Sequence, residues 1–346
     1  MNSKIPVAIL GATGSVGQKF IELLKDHPWF EITALCASER SVGKPYAQAA
    51  NWFQSSELPR RLAEMLVTPC EPTVAARIVF SGLDSEVAGP IETAFARAGY
   101  AVVSNAKNHR MDENVPLLVP EVNADHLELV RHQSFGKGMI VTNPNCTTVG
   151  LVMALKPLVD RFGVQAVQVV TMQALSGAGY PGVASLDIID NVIPFIGGEE
   201  EKVQMEPLKI FGELLDGRIA SANMTISASC NRVAVIDGHT ECVSVELGRQ
   251  VGAQEVIDAW ESYRASPQEL ELPMAPGQPM RYFREDVYPQ PRKHRMLDKG
   301  MAVSIGRLRP CSVLDWKFTI VSHNTIRGAA GGAILNAELM VKRGLV

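Results

Sequence analysis

The sequence predicts an α/β protein in two parts, the first built on a doubly wound parallel sheet and the second on a mixed or antiparallel one. Three observations carry this expectation. An apolar run at 4–10 breaks at a glycine turn, GATGSVG, and passes into a helical pattern. Short strand-like runs then alternate with helical stretches up to about residue 163. Beyond that point long β-branched runs dominate and few helices interrupt them.

Taken in order, residues 4–10 make the first strand. Val16, Phe20, Leu23 and Leu24 then recur at helical spacing until Asp26-His27-Pro28 ends the helix. Further strands are expected at 31–37, 77–82, 101–104 and 139–142, with helical stretches such as 90–98 between them. After the change of pattern, strands are expected at 164–175, 222–228, 242–247, 301–308 and 314–322, and helices at 201–215 and 253–265. Residues 270–295, rich in proline and arginine, read as a surface excursion. The stretch 328–342, GAAGGAILNAELMVK, is a small-residue helix with an apolar stripe, of the kind that often packs back on a first domain.

At 346 residues the chain is too long for one small core and suits two domains. Apolar residues make up 46% and charged residues 20%, which excludes a disordered or fibrous chain. A net charge of −4 with both signs mixed offers no basic footprint for nucleic acid. The start, MNSKIPVAILGATG, does not read as a signal peptide, because its apolar run is short and flows into the glycine turn. No stretch approaches the roughly 18 apolar residues of a membrane span, so a cytoplasmic protein with no membrane partner is expected. The 6 cysteines, at 36, 70, 146, 230, 242 and 311, lie far apart with no C-x-x-C and no H-E-x-x-H. Neither a disulfide scaffold nor a metal site is expected.

GATGSVG at 11–17 has the context of a phosphate-binding turn, after a strand and opening a helix. Glycines permit the tight turn and let backbone N–H groups approach a pyrophosphate at the positive helix end. The spacing is G-x-x-G-x-x-G rather than G-x-G-x-x-G, and a glycine turn without a ligand is the plain alternative. A Rossmann-like dinucleotide domain is the reading that the strand, turn and helix support together. Which dinucleotide depends on the end of the second strand, where an acid takes ribose hydroxyls and an arginine accommodates a 2′-phosphate. There the sequence reads CASERSVGK: Glu39 is present, but Ser38, Arg40, Ser41 and Lys44 surround it. Hydroxyls plus a guanidinium suit a phosphate and favour NADP over NAD.

VTNPNCTT at 141–148 presents Cys146 between a strand and an apolar helix-like stretch at 149–158, with Thr147 and Thr148 as candidate caps. Two readings stand: a buried inert thiol, or a nucleophile whose thiolate is favoured by the helix N-terminus. Asn145 beside it could donate to an anionic oxygen. His239, in GHTE at 238–241, occupies a polar glycine-flanked turn before a strand, where an imidazole is not an obvious core filler. Arg232, in SASCNRV, ends a strand either as a surface charge or as a functional cation. The acids of IGGEEEKV at 196–203 are what a first helical turn favours in any case.

Together these stretches are recognisable. The chain resembles the aspartate-semialdehyde dehydrogenases, and more closely their archaeal and fungal branch, essentially end to end. The similarity includes GATGSVGQ, ASERSVGK, SNAKNHRMDENVPLLVPEVN, VTNPNCTT, TMQALSGAGYPG, NVIPFIGGEEEKV, CNRVAVIDGHTE and SHNTIRGAAGG in the family's order. The resemblance implies that Cys146 forms the acyl-enzyme, that His239 is the acid/base, and that Gln173 lies beside the reacting carbon. It assigns Arg232 and Glu199 to the amino acid's carboxylate and amino group, and Arg110, Asn145 and Lys202 to phosphate. The cofactor falls at Gly11, Thr13, Gly14, Ser15, Val16, Ser38, Arg40, Ser41, Ser176, Gly177 and Asn324. It further implies an NADP-binding domain at 1–146 completed by 324–346, a catalytic and dimerisation domain at 147–323, and homodimers or homotetramers. The implied reaction is reversible NADPH-dependent conversion of L-4-aspartyl phosphate to L-aspartate 4-semialdehyde through a Cys146 thioester, on the route to lysine, threonine, methionine and isoleucine.

Rival readings are kept beside it. Malonyl-CoA reductases of the same architecture retain the cysteine and the carboxylate-binding arginine, but an acyl-CoA substrate would not need Arg110, Lys202 or the glutamate cluster. N-acetylglutamyl-phosphate reductase shares the logic and fits the motifs less well. A non-catalytic NADP-binding redox sensor using Cys146 would bind cofactor without turnover.

Overall fold

The structure, a computed structural model, describes residues 4–346. Six runs of mostly buried residues make the first sheet: β1 (Ile5–Leu10), β2 (Phe30–Ala37), β3 (Thr68–Pro69), β4 (Ile78–Ser81), β5 (Ala101–Ser104) and β6 (Met139–Thr142). Every pair is parallel and the order is β3-β2-β1-β4-β5-β6. The order reverses between β1 and β4, which opens a crevice at the carboxyl ends of those strands. Helix α1 (Ser15–Leu24) follows β1 and α2 (Ser85–Arg97) follows β4. The sequence placed the latter at 90–98. It starts earlier because Pro90 is tolerated inside it on the exposed side, where the carbonyl left unpaired meets water.

Helix α3 (Cys146–Phe162) then carries the chain to a second sheet. Strand β7 (Val164–Gln173) is followed by α4 (Glu199–Ile210), the hairpin β8 (Glu213–Leu215) and β9 (Arg218–Ala220), and β10 (Thr225–Arg232). After β11 (His239–Leu247) come α5 (Ala253–Glu261), β12 (Met280–Phe283), β13 (Val303–Pro310) and β14 (Trp316–Ser322). The sheet order is β10-β7-β11-β14-β13-β12, a mixture of parallel and antiparallel pairs. Val167, Val169, Val243, Val245, Phe318 and Ile320 face a core shared with α3 and α5. Trp260 is buried there and donates Nε1–H to the Ala154 carbonyl at 2.8 Å. The other face leaves Val170 and Cys242 exposed.

The element boundaries of this half differ from expectation for identifiable reasons. The helix expected to reach 215 stops at Ile210, because Asp216 and Gly217, both at positive φ (49° and 78°), make the tight turn of the β8–β9 hairpin. The strand expected at 222–228 lies at Thr225–Arg232, paired along its whole length with β7. The 270–295 excursion contains β12, an edge strand parallel to β13.

The chain ends in the first sheet's core. A π-turn at Ile326–Ala330 leads into α6 (Gly331–Lys342), whose Ala333, Ile334, Leu335, Ala337, Leu339 and Met340 pack with Val7, Ile9 and Phe80. A helix buried nearly all round has no polar face to show, which explains its weak amphipathicity. Arg327 anchors the π-turn: its Nη1 and Nη2 donate to the two Glu121 carboxylate oxygens at 2.7 and 2.5 Å, with both side chains buried. Breaking a buried pair on one side strands a charge, at a cost of roughly 3–5 kcal/mol. Arg327→Met should therefore lower unfolding free energy by about that much in urea titrations, and a change below about 1 kcal/mol would show that the pair is not a stabilising anchor.

Candidate active site

At the end of β1, Gly11 has φ +72° and a Cβ there would lie 2.7 Å from the Gly82 carbonyl oxygen. A Cβ at Gly17 would come within 2.2 Å of the Gly11 carbonyl oxygen. Only glycine closes this turn. Gly14 is the N-cap of α1 and offers no side-chain cap, so the first helical N–H groups stay available to an anion. Thr13 belongs to the same turn, and Ser15 and Val16 open α1. Beyond β2, the Ser41 N–H donates to the Ser38 carbonyl at 2.8 Å, with Ser38 and Arg40 exposed and Ser41 buried. The second half of the chain reaches over this loop. A Cβ at Gly179 would stand 3.8 Å from Ser15 Oγ, Tyr180 stacks on Phe53 at 4.9 Å, and Asn324 Nδ2 donates to Ser176 Oγ at 2.8 Å. The Asn324 oxygen accepts from the Gly238 N–H at 2.8 Å, which joins this seam to the turn before β11. A Gly-closed turn at a helix N-terminus, with hydroxyls and a guanidinium beyond β2, fits a dinucleotide carrying an extra phosphate.

Cys146 is the first residue of α3, and the cap is Asn145, not the threonines. Asn145 Oδ1 accepts from the N–H groups of Thr147 (3.0 Å) and Thr148 (3.4 Å), while both threonine side chains are buried in the first turn. Cys146 Sγ lies 3.1 Å from His239 Nε2. His239 is not in a turn. It is the first residue of β11, opposite Ser322 of β14, and is fully buried. Two glycines allow this crowding: a Cβ at Gly177 would lie 2.8 Å from Arg232 Nη1 and 3.1 Å from His239 Cε1, and one at Gly328 would lie 2.8 Å from Cys146 Cα.

Of the three consecutive glutamates, Glu199 turns inward. Its carboxylate accepts from Asn145 Nδ2 (3.0 and 2.9 Å), Gln173 Nε2 (3.3 Å) and Lys202 Nζ (2.7 Å). Glu200 instead accepts the Cys230 N–H at 3.0 Å, and Glu201 is exposed. Arg232 is buried and donates Nη1 to the Ala174 carbonyl at 2.6 Å. Arg110 is buried too, donating Nη1 to Glu206 Oε1 at 2.8 Å and Nη2 to the Asn105 carbonyl at 2.7 Å. The structure thus brings together Cys146, His239, Gln173, Glu199, Lys202, Arg232, Asn145 and Arg110. Asn145 spends its amide N–H groups on Glu199, so the free anion donor that the sequence suggested is already engaged.

The electrostatics follow from burial first. Burial pushes the Cys146 thiol up to about 12, with Glu199 adding to the rise and the Arg232, Arg110 and Lys202 cations opposing it. Burial would also raise Glu199, but Lys202 and the hydrogen bonds from Asn145 and Gln173 hold its carboxyl below the usual range. His239 is pushed down to about 3 by burial, then by Arg232 and His323. Its Nδ1 accepts the Ala174 N–H at 3.0 Å, so the neutral ring carries its proton on Nε2, facing the sulfur. The imidazole stands as a hydrogen-bond donor to Cys146 rather than as a base.

Residues 6–130 match the family model "Semialdehyde dehydrogenase, NAD binding domain" and residues 155–327 match "Semialdehyde dehydrogenase, dimerisation domain". An aspartate-semialdehyde dehydrogenase of Archaeoglobus fulgidus is 50% identical over 344 residues, covering 98% of this chain and 99% of its own. That of Schizosaccharomyces pombe is 49% identical over 353 residues, covering 98% and 99%. The chain belongs to the aspartate-semialdehyde dehydrogenase family. A crystal structure of the Candida albicans aspartate-semialdehyde dehydrogenase with NADP superposes with a TM-score of 0.92 at 43% identity, covering 99% of this chain and 100% of that one.

Within this aspartate-semialdehyde dehydrogenase fold, sequence reasoning missed Glu206 and Lys209. They follow Glu199 and Lys202 on one face of α4, and the spacing was legible, but a charged helix face reads by default as solvated. A raised thiol makes one prediction. Peptide-mapped alkylation of Cys146 by iodoacetamide should accelerate about tenfold per pH unit between pH 7 and 9, because the thiol titrates far above that window. A plateau near pH 7 would mean the resting thiolate is already formed.

Proposed function

We propose that the chain reduces L-4-aspartyl phosphate reversibly to L-aspartate 4-semialdehyde and phosphate with NADPH, as an aspartate-semialdehyde dehydrogenase of amino-acid biosynthesis. The carrying observation is Cys146 Sγ at 3.1 Å from His239 Nε2, with the cations Arg110, Lys202 and Arg232 close enough to act on that sulfur. Arg232 suits the substrate's distal carboxylate as a bidentate clamp. Glu199 suits its amino group, and that ammonium would cancel the negative charge that adds to the rise burial imposes on the Cys146 thiol. Substrate binding would then favour the thiolate, already faced by the Nε2 donor and the N-terminus of α3, with the thiol proton lost to solvent and regained after the product leaves.

The thiolate attacks the acyl carbon, and the tetrahedral oxyanion collapses by breaking the carbon–phosphate-oxygen bond. Arg110 and Lys202 neutralise the departing phosphate, which takes up the one proton the overall reaction consumes. Gln173 is in place to orient the acyl group in the thioester. Bound NADPH supplies the hydride that converts this carbonyl carbon to the aldehyde level. His239 then stabilises sulfur as it leaves as thiolate, a role that needs a donor and no change in ring charge. The cofactor reading has two supports: the Candida albicans relative is described with NADP, and Arg40, Ser38 and Ser41 offer a guanidinium and hydroxyls beyond β2. Residues 1–146 with 324–346 would form the cofactor domain and 147–323 the catalytic one. The outer face of the second sheet, with Val170 and Cys242, is the surface we assign to homodimer formation, in keeping with the dimerisation-domain match. A pair of such dimers would make the homotetramer. No helix of the described residues is long and apolar enough to cross a membrane, which accords with a cytoplasmic enzyme.

Three outcomes test this reading. Cys146→Ser should abolish NADP reduction with aspartate semialdehyde and phosphate yet leave cofactor affinity within about twofold; retained turnover would refute the nucleophile. Arsenate should replace phosphate as acceptor and CoA should not, whereas CoA-dependent turnover would move the substrate to an acyl-CoA. Arg40→Ala should weaken NADP by at least about tenfold more than NAD, and equal losses would remove the 2′-phosphate assignment.

A further inference from the structure

Helix α4 does more than present Glu199 and Lys202. Glu206, 3% exposed, lies one further step along the same face and accepts two hydrogen bonds, one at each carboxylate oxygen. Its Oε1 accepts from Arg110 Nη1 at 2.8 Å, and its Oε2 accepts from the backbone N–H of Asn145 at 2.7 Å, the residue immediately before Cys146. We infer that Glu206 is a positioning residue that fixes the Arg110 guanidinium relative to the nucleophile's own backbone, so that cation and sulfur address the same acyl phosphate. The inference rests on the reading of Arg110 as a phosphate cation.

The chemistry of the clamp is restrictive. A guanidinium and a backbone amide are both donors with no acceptor capacity on those nitrogens. The residue between them must accept at both oxygens, which a carboxylate does. Glutamine cannot: in either amide orientation its NH2 faces a donor. The Arg110 loop is held from a second side by Lys209, whose Nζ donates to the carbonyls of Arg110 (2.7 Å), Asp112 (2.7 Å) and Val115 (2.8 Å), the full capacity of an ammonium. Arg110 Nη2 is occupied by the Asn105 carbonyl, and Nε is buried with no partner among the described residues. The guanidinium is thus aimed from behind and keeps an unspent donor.

A merely structural ion pair would change stability and leave the substrates equally affected. The positioning role separates them. With aspartate semialdehyde, NADP and varied phosphate, Glu206→Gln should raise the phosphate KM by at least about tenfold while the semialdehyde KM and cofactor affinity stay within about twofold. If Glu206→Gln does not fold, Glu206→Asp is read instead. It keeps both acceptors on a shorter arm, and it should raise the phosphate KM selectively and by less. Arg110→Lys, run in parallel, tests the underlying reading: an unchanged phosphate KM there would overturn both claims. A raised phosphate KM in Arg110→Lys, with phosphate and semialdehyde KM rising together in the Glu206 variant, or with neither rising, would overturn the inference alone.

Discussion

The carboxamide of Asn145 satisfies two demands at once. Its oxygen caps the first turn of the Cys146 helix, and its nitrogen donates to Glu199 at the first turn of α4. The starts of the two helices cannot shift independently, and everything at the site is measured from that joint. Glu206 repeats the linkage seven residues along α4 through the Asn145 backbone N–H. The sulfur therefore sits on a helix terminus held by a side chain and a main-chain bond to the same neighbouring helix, while β11 supplies His239 from the sheet below.

Burial and charge compete at this joint, and burial wins in the free chain. It holds the thiol protonated even with three cations close by, and it acts together with Arg232 to keep the imidazole neutral. A resting thiolate in such a place would be exposed to oxidation and alkylation. Activation by a substrate that neutralises Glu199 ties reactivity to occupancy. The Ala174 N–H contributes by fixing the His239 tautomer, so that the group facing sulfur is a donor on attack and on departure alike.

Local pattern made much of the first half legible. The strand at 4–10, the turn GATGSVG and the helix after it are set by neighbours in sequence, and the structure places their boundaries within a residue or so. The Cys146 helix was legible too, but its cap was not, because threonine and asparagine are both good caps and only the fold shows which residue is left outside the first turn. His239 read as a turn residue since GH and T are polar, yet pairing with β14 extends the strand back to it. Glu206 and Lys209 escaped because their partners, Arg110 and the 110–115 carbonyls, lie about a hundred residues away in sequence. The β8–β9 hairpin, by contrast, carried a plain Asp-Gly signal between Leu214-Leu215 and Arg218-Ile219 that outweighs the helical pattern before it.

The central claim is that Cys146 accepts the acyl group before any reduction takes place. Incubating the protein with L-4-aspartyl phosphate and no reductant, then measuring intact mass and mapping the modified peptide, tests it directly. The account predicts one aspartyl adduct per chain, on the peptide containing Cys146 and released by hydroxylamine, with one equivalent of phosphate liberated. An unmodified Cys146 alongside full turnover when NADPH is added would contradict it.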